Sequence, residues 1–158
     1  MKIDIDLGAQ RLRLLDGTRA VREYPVSTAA NGPGEILGSG CTPRGRHRIR
    51  AKIGADLPAG AVLRGRRWTR EIWSPELGTR YPDRDWILSR ILWLSGVEPG
   101  RNRLGCVDTF RRYIYLHGTP DVEALGRPAS HGCVRLRNED VIELFDLVRA
   151  GTDVELHE

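Results

Sequence analysis

Apolar and charged residues alternate from the start of the chain: Ile3, Ile5 and Leu7 against Asp4 and Asp6, then Leu12 and Leu14 against Arg11 and Arg13, with Asp16-Gly17 after them. A period of two places one set on each face of a strand, so these segments predict two strands of a half-solvated sheet and a turn at the Asp-Gly pair. Residues 21–27 predict another strand. The stretch 31–45, with Gly32-Pro33-Gly34 and Gly38-Ser39-Gly40, cannot hold a helix and is expected to form a long loop. Alternation resumes over 46–53. Further short apolar pieces at 61–63, 86–94 and 111–116 are bounded by Gly and Pro, the spacing of a sandwich or barrel. Periodicity alone leaves 86–94 between helix and strand; it is assigned to a strand.

Only one segment is convincingly helical. Val141, Leu144, Phe145 and Val148 form an i, i+3, i+4, i+7 stripe, Asn138 stands where a cap is needed, and Glu139 and Asp140 suit the positive end of the helix dipole. Gly151 ends it, and Val154 and Leu156 alternate in a closing strand. The expected fold is therefore mainly β, a sandwich or barrel with one C-terminal helix and few others. At 158 residues the chain is expected to be a single domain, 1–158, with one site.

Composition narrows the partners. With 40% hydrophobic and 29% charged residues the chain reads as soluble and globular, and no apolar run approaches the roughly 20 residues of a membrane span. Carboxylates at Asp4 and Asp6 interrupt what a signal peptide would keep apolar. The chain as given is thus expected in the cytoplasm, or in the periplasm if upstream residues were removed. The net charge of +4 is mostly arginine, clustered at 44–50 and 64–70. Such a surface attracts nucleic acid or a small ligand with several carboxylates, but no aromatic-basic motif of a nucleic-acid module accompanies it, so no nucleic-acid partner is expected.

Three cysteines, Cys41, Cys106 and Cys133, cannot all pair and show no C-x-x-C spacing. Cys133 differs from the other two. It follows a glycine, lies between two histidines and two arginines, and adjoins a loop break. A cationic neighbourhood lowers a thiol's pKa, and backbone N–H groups around Gly132 can receive an oxyanion, which together suit acyl transfer. His117 ends an expected strand from Arg111, on the face of Tyr113 and Tyr115, and Gly118-Thr119-Pro120 breaks that strand at once. The following loop is long enough to return Cys133 beside it. His117, His131 and Cys133 are also legitimate zinc ligands, but no fourth stands near, so no metal is expected. A Ser130 nucleophile lacks the G-x-S-x-G elbow.

His117-Gly118-Thr119, followed after a short loop by Ser130-His131-Gly132-Cys133-Val134-Arg135, resembles the signature of the L,D-transpeptidase catalytic domain family, also called the YkuD domain. The similarity extends to Val26-Ser27-Thr28, to Thr42-Pro43-Arg44-Gly45 and to the closing helix and strand; Cys41 stands where a basic residue is expected. The resemblance implies attack on the bond between the L-centre of a diamino acid and the following D-alanine in a peptidoglycan tetrapeptide stem, with a thioester formed and D-alanine released. It implies Cys133 as nucleophile, His117 as base and the Gly118 carbonyl as the group orienting the imidazole. Ser130, His131, Gly132 and Arg135 would shape the pocket, and Arg135 would clamp a substrate carboxylate. No cofactor is implied. Peptidoglycan tetrapeptides or muropeptide fragments are the expected partners, and carbapenem β-lactams the expected covalent inhibitors. Absence of an export signal in the given chain favours water as acceptor, an L,D-carboxypeptidase in peptidoglycan recycling. A cross-linking transpeptidase and a non-catalytic fragment-binding module are the alternatives.

Overall fold

A computed structural model describes all of residues 1–158. Its elements are β1 (Lys2–Asp6), β2 (Arg11–Asp16), β3 (Arg19–Pro25), β4 (Gly45–Ile53), β5 (Ala61–Arg64), β6 (Arg67–Ile72), α1 (Pro75–Arg80), β7 (Ile87–Gly96), β8 (Tyr115–Gly118), β9 (Val134–Leu136), α2 (Asn138–Leu147) and β10 (Asp153–His157). The strands form one sheet in the order β3-β2-β1-β10-β4-β7-β5-β6, with β8 added to β7 and β9 to β8.

The sheet curls until its two ends meet. Ile3 and Ile5 of β1, Leu12 and Leu14 of β2, Leu116 of β8 and Val134 and Leu136 of β9 share one buried cluster, which a flat sheet of this order would hold far apart. Ser27 N–H donates to the Arg135 carbonyl at 3.0 Å, and Arg135 N–H to the Ser27 carbonyl at 2.9 Å, so the chain beyond β3 closes against β9. Closure of this kind leaves few free strand edges. Helix α2 presses Val141, Leu144 and Phe145 into the same cluster, and Val148, just past its last residue, completes the stripe that the sequence predicts.

Several expectations are corrected. The strand expected over 111–117 begins only at Tyr115, because Tyr113 takes a left-handed φ of 56° and turns the chain before the ladder starts. Asn138 is not the cap of α2: Arg137 precedes the helix without a side-chain bond, and Asn138 Oδ1 accepts from Ser89 Oγ at 2.7 Å. The sequence reading also missed β6 and the six-residue helix α1. The latter did carry a signal, since Ser74 accepts from Leu77 N–H and Pro75 follows it in the first turn.

Candidate active site

Strands β8 and β9 run parallel, with Leu116 opposite Val134 and His117 opposite Arg135. Leu116, Val134 and Leu136 enter the main core, so their alternates Tyr115, His117, Cys133 and Arg135 project from the other face. There Cys133 packs on a smaller cluster of Leu63, Ile91 and Tyr115, flanked by Trp68 and Trp93. The cysteine and histidine that lie 16 positions apart in sequence thus stand on adjacent strands and one face.

The thiol is half-buried. Its Sγ accepts from Tyr115 N–H at 3.3 Å and donates to the Tyr113 carbonyl at 3.3 Å. The left-handed backbone at Tyr113 is what aims that carbonyl at the sulfur, a strained conformation of the kind found where a site requires it. His117 is 1% exposed; its Nδ1 bonds the Gly118 carbonyl at 2.7 Å, while Nε2 is buried and has no partner. With Nδ1–H donating to a carbonyl, the neutral imidazole presents a free lone pair at Nε2. Thiol and imidazole are not hydrogen-bonded to each other in this resting arrangement, since the thiol's proton faces Tyr113.

The turn before β9 is clamped from both sides. Ser130 Oγ donates to the Cys133 carbonyl at 2.6 Å and accepts from Gly132 N–H at 3.2 Å. Thr42 Oγ1 donates to the Gly132 carbonyl at 2.8 Å, which ties the 31–45 loop to the same turn. Gly132 itself has φ of 136°, a conformation that disfavours any side chain, and a Cβ there would press on the Cys41 carbonyl. Its N–H is spent on Ser130, so the donor free to face a reacting oxygen is the N–H of Cys133, which no other group of the chain takes.

Ion pairing settles the two remaining motif residues. Asp85 holds Arg135 Nη2 at 3.0 Å and lies 3.6 Å from Nδ1 of His131, whose side chain is 77% exposed. Arg135 is therefore already neutralised and does not stand free as a carboxylate clamp. Arg112 is near enough for its charge to act on Cys133, and it donates to the carbonyls of Gly34 at 3.2 Å and Cys41 at 2.6 Å and to Ser39 Oγ at 3.4 Å. It bonds neutral oxygens only.

The sequence profile of the YkuD L,D-transpeptidase catalytic domain matches residues 1–156. The chain belongs to the L,D-transpeptidase catalytic domain family. A Bacillus licheniformis relative proposed to be the L,D-transpeptidase YkuD is 37% identical over 156 residues, 98% of this chain and 64% of its own length. Among solved structures, an L,D-transpeptidase from Xylanimonas cellulosilytica is 22% identical with a TM-score of 0.57, over 98% of this chain and 59% of that one. L,D-transpeptidase 3 from Mycobacterium tuberculosis, in complex with a faropenem-derived adduct, is 16% identical with a TM-score of 0.56, over 99% and 59%. The chain thus spans about three fifths of the length of these proteins, and the two structures share its fold.

Electrostatics in this L,D-transpeptidase domain run against the sequence expectation of an acidified thiol. Burial pushes Cys133 up to about 12, outweighing the Tyr115 N–H and the charges of Arg135 and Arg112, while Asp85 adds to the rise. Burial likewise pushes His117 down to about 4 against the opposing Gly118 carbonyl. The resting pair is neutral thiol and neutral imidazole, not a thiolate–imidazolium pair.

A second buried histidine, His47, bonds the Gly45 carbonyl and Thr109 Oγ1 and is also pushed down to about 4, chiefly by burial. Both folded-state values lie below the unfolded value, so the unfolded chain binds protons first as pH falls. Stability is then full above about pH 6.5 and drops towards pH 4 by about 1.4 kcal/mol per pH unit for each histidine. Urea midpoints at pH 7 and pH 4.5 are expected to differ strongly, and a His47→Gln variant to show a smaller difference. Equal midpoints for the native chain would contradict the neutral burial of both rings.

Proposed function

We propose that this face is a cysteine acyl-transfer site that cleaves the L,D peptide bond of peptidoglycan tetrapeptide stems, with Cys133 as nucleophile and His117 as base. The supporting observation is the unpartnered, buried Nε2 of His117, oriented by the Gly118 carbonyl and standing on the face of the half-buried thiol one strand away. Rotation of the thiol from the Tyr113 carbonyl towards Nε2 lets the proton pass to the imidazole as sulfur attacks the substrate carbonyl carbon. The Cys133 N–H receives the oxyanion. Collapse breaks the C–N bond, and the amine of the leaving D-residue takes the proton from His117. Proton transfer within the neutral pair avoids creating an isolated thiolate in an apolar recess, where burial makes it costly.

Water is the acceptor in this reading, making the domain an L,D-carboxypeptidase acting on soluble muropeptide fragments. Its support is the recess itself: Cys133 is half-buried against the cluster of Leu63, Ile91 and Tyr115, and water enters such a space more easily than the amine of a second stem. Incubation with a free tetrapeptide, with and without excess acceptor stem, is expected to yield tripeptide and D-alanine in both cases; cross-linked dimers would overturn hydrolysis. Mass spectrometry after mixing with imipenem or faropenem is expected to show one adduct, on Cys133. An adduct divided equally with Cys41 or Cys106 would remove the case for a specialised thiol.

A further inference from the structure

Arg64, Arg66, Arg67 and Arg70 gather on the β5–β6 hairpin, and none of the four forms an ion pair. The hairpin turns on Gly65 and Arg66, with φ of 55° and 63°, between the paired residues Arg64 and Arg67. That two-residue turn ordinarily takes Asn or Gly, because a longer side chain pays a steric cost at positive φ. Here the turn lays Arg66 over the active face. Its Nη1 donates to the Tyr115 hydroxyl at 3.2 Å, and its guanidinium carbon lies 4.8 Å from the Trp93 ring centroid and 5.1 Å from that of Tyr113. These are residues of the thiol's own wall: Tyr115 N–H and the Tyr113 carbonyl both bond Cys133 Sγ.

Three guanidinium groups therefore approach the thiol, and their commitments differ. Arg135 is paired with Asp85, and Arg112 is taken up by the Gly34, Ser39 and Cys41 oxygens. Arg66 has five N–H donors, one phenolic partner and no countercharge, on an aromatic platform that shields its faces and leaves its edges to bind. A planar carboxylate is the ligand that matches such an edge. Tyr115 links the two groups, with its N–H at the sulfur and its hydroxyl at the guanidinium. A leaving residue that runs along this side chain from the sulfur carries its terminal carboxylate towards the guanidinium edge.

We propose that Arg66 binds the carboxylate that ends the acyl donor, the one carried by the leaving D-residue; this rests on the L,D acyl-transfer reading above. The substrate is then recognised as a chain end, and an internal L,D bond lacks the group that Arg66 holds.

Kinetics of wild type, Arg66→Gln and Arg66→Lys on tetrapeptides ending in a free acid or an amide test it. Wild type is expected to lose about ten- to a hundredfold in kcat/KM on amidation, the weight of a charge-assisted bond. Arg66→Gln should show that loss on the free acid, mainly in KM, and none further on the amide, with Arg66→Lys between. An Arg66→Gln enzyme that still prefers the free acid to the wild-type extent overturns the proposal. Alkylation of Cys133 by N-iodoacetylglycine, whose carboxylate lies one residue beyond the reacting carbon, and by its neutral amide gives a readout without turnover: the acid-to-amide rate ratio should fall in Arg66→Gln while the amide's rate holds. An unchanged ratio also overturns it. Loss of that ratio in a protein that cleaves no tetrapeptide would sink the L,D reading and leave the anion site standing.

Discussion

Cys133→Ala is expected to release no measurable D-alanine from a tetrapeptide stem, a loss of roughly a thousandfold or more, while its unfolding midpoint stays close to that of the native chain. The asymmetry follows from what the sulfur touches. Its hydrogen bonds go to the N–H of Tyr115 and the carbonyl of Tyr113, at 3.3 Å each, so truncation costs a half-buried thiol and two weak contacts. Cys41→Ala and Cys106→Ala should retain turnover, since the Cys41 thiol donates within its own loop to the Asn31 and Ser39 carbonyls and Cys106 is exposed. Because burial holds the Cys133 thiol up to about 12, its alkylation by iodoacetamide should be slow at pH 7 and climb steadily through pH 10. A rate already at its plateau by pH 8 would show an acidified thiol and contradict the neutral pair.

The second large effect comes from a residue that carries no side chain. A Cβ built on Gly118 would overlap Asn138 Oδ1 and stand 2.7 Å from the Leu88 carbonyl oxygen, both far inside van der Waals contact. Gly118→Ala must therefore push β8 away from β7 and α2, which costs about 1–3 kcal/mol or more for an overpacked site. The same displacement moves the carbonyl that bonds His117 Nδ1 at 2.7 Å, so activity should fall more steeply than stability. Adding Asn138→Ala removes the side-chain overlap but leaves the backbone one. The double variant is expected to recover part of the stability and little of the turnover. Full activity in Gly118→Ala, by D-alanine release, would show that the carbonyl does not orient the base.

The bulge that makes this crowding possible lies in β7. Between Leu88 and Ile91 the pairing with β8 shifts register, with Ser89 at φ of 71°, and Ser89 Oγ reaches Asn138 while accepting from Gly60 N–H at 2.9 Å. No local pattern around Ser89 announces it. Asn138 shows the same limit: it occupies a position that suits a cap, yet its amide is drawn to Ser89, because a partner brought by folding outcompetes the local one.

What the sequence determined by itself is what repeats along it or sits close together in it. The period of two in β1, β2 and β10, the stripe of α2 and the glycine-rich loop before β4 all follow from nearest-neighbour geometry, and the structure agrees with each. The tertiary structure alone decided the chemistry's setting. Asp85 reaches Arg135 across 50 positions, Thr42 reaches the Gly132 carbonyl across 90, and Arg66 reaches Tyr115 across 49. Likewise, the arginines near Cys133 suggest an acidic thiol until their partners and the burial of the sulfur are known. Charge in a sequence can be counted, but its effect on a proton depends on desolvation and pairing, and these exist only once the sheet has closed.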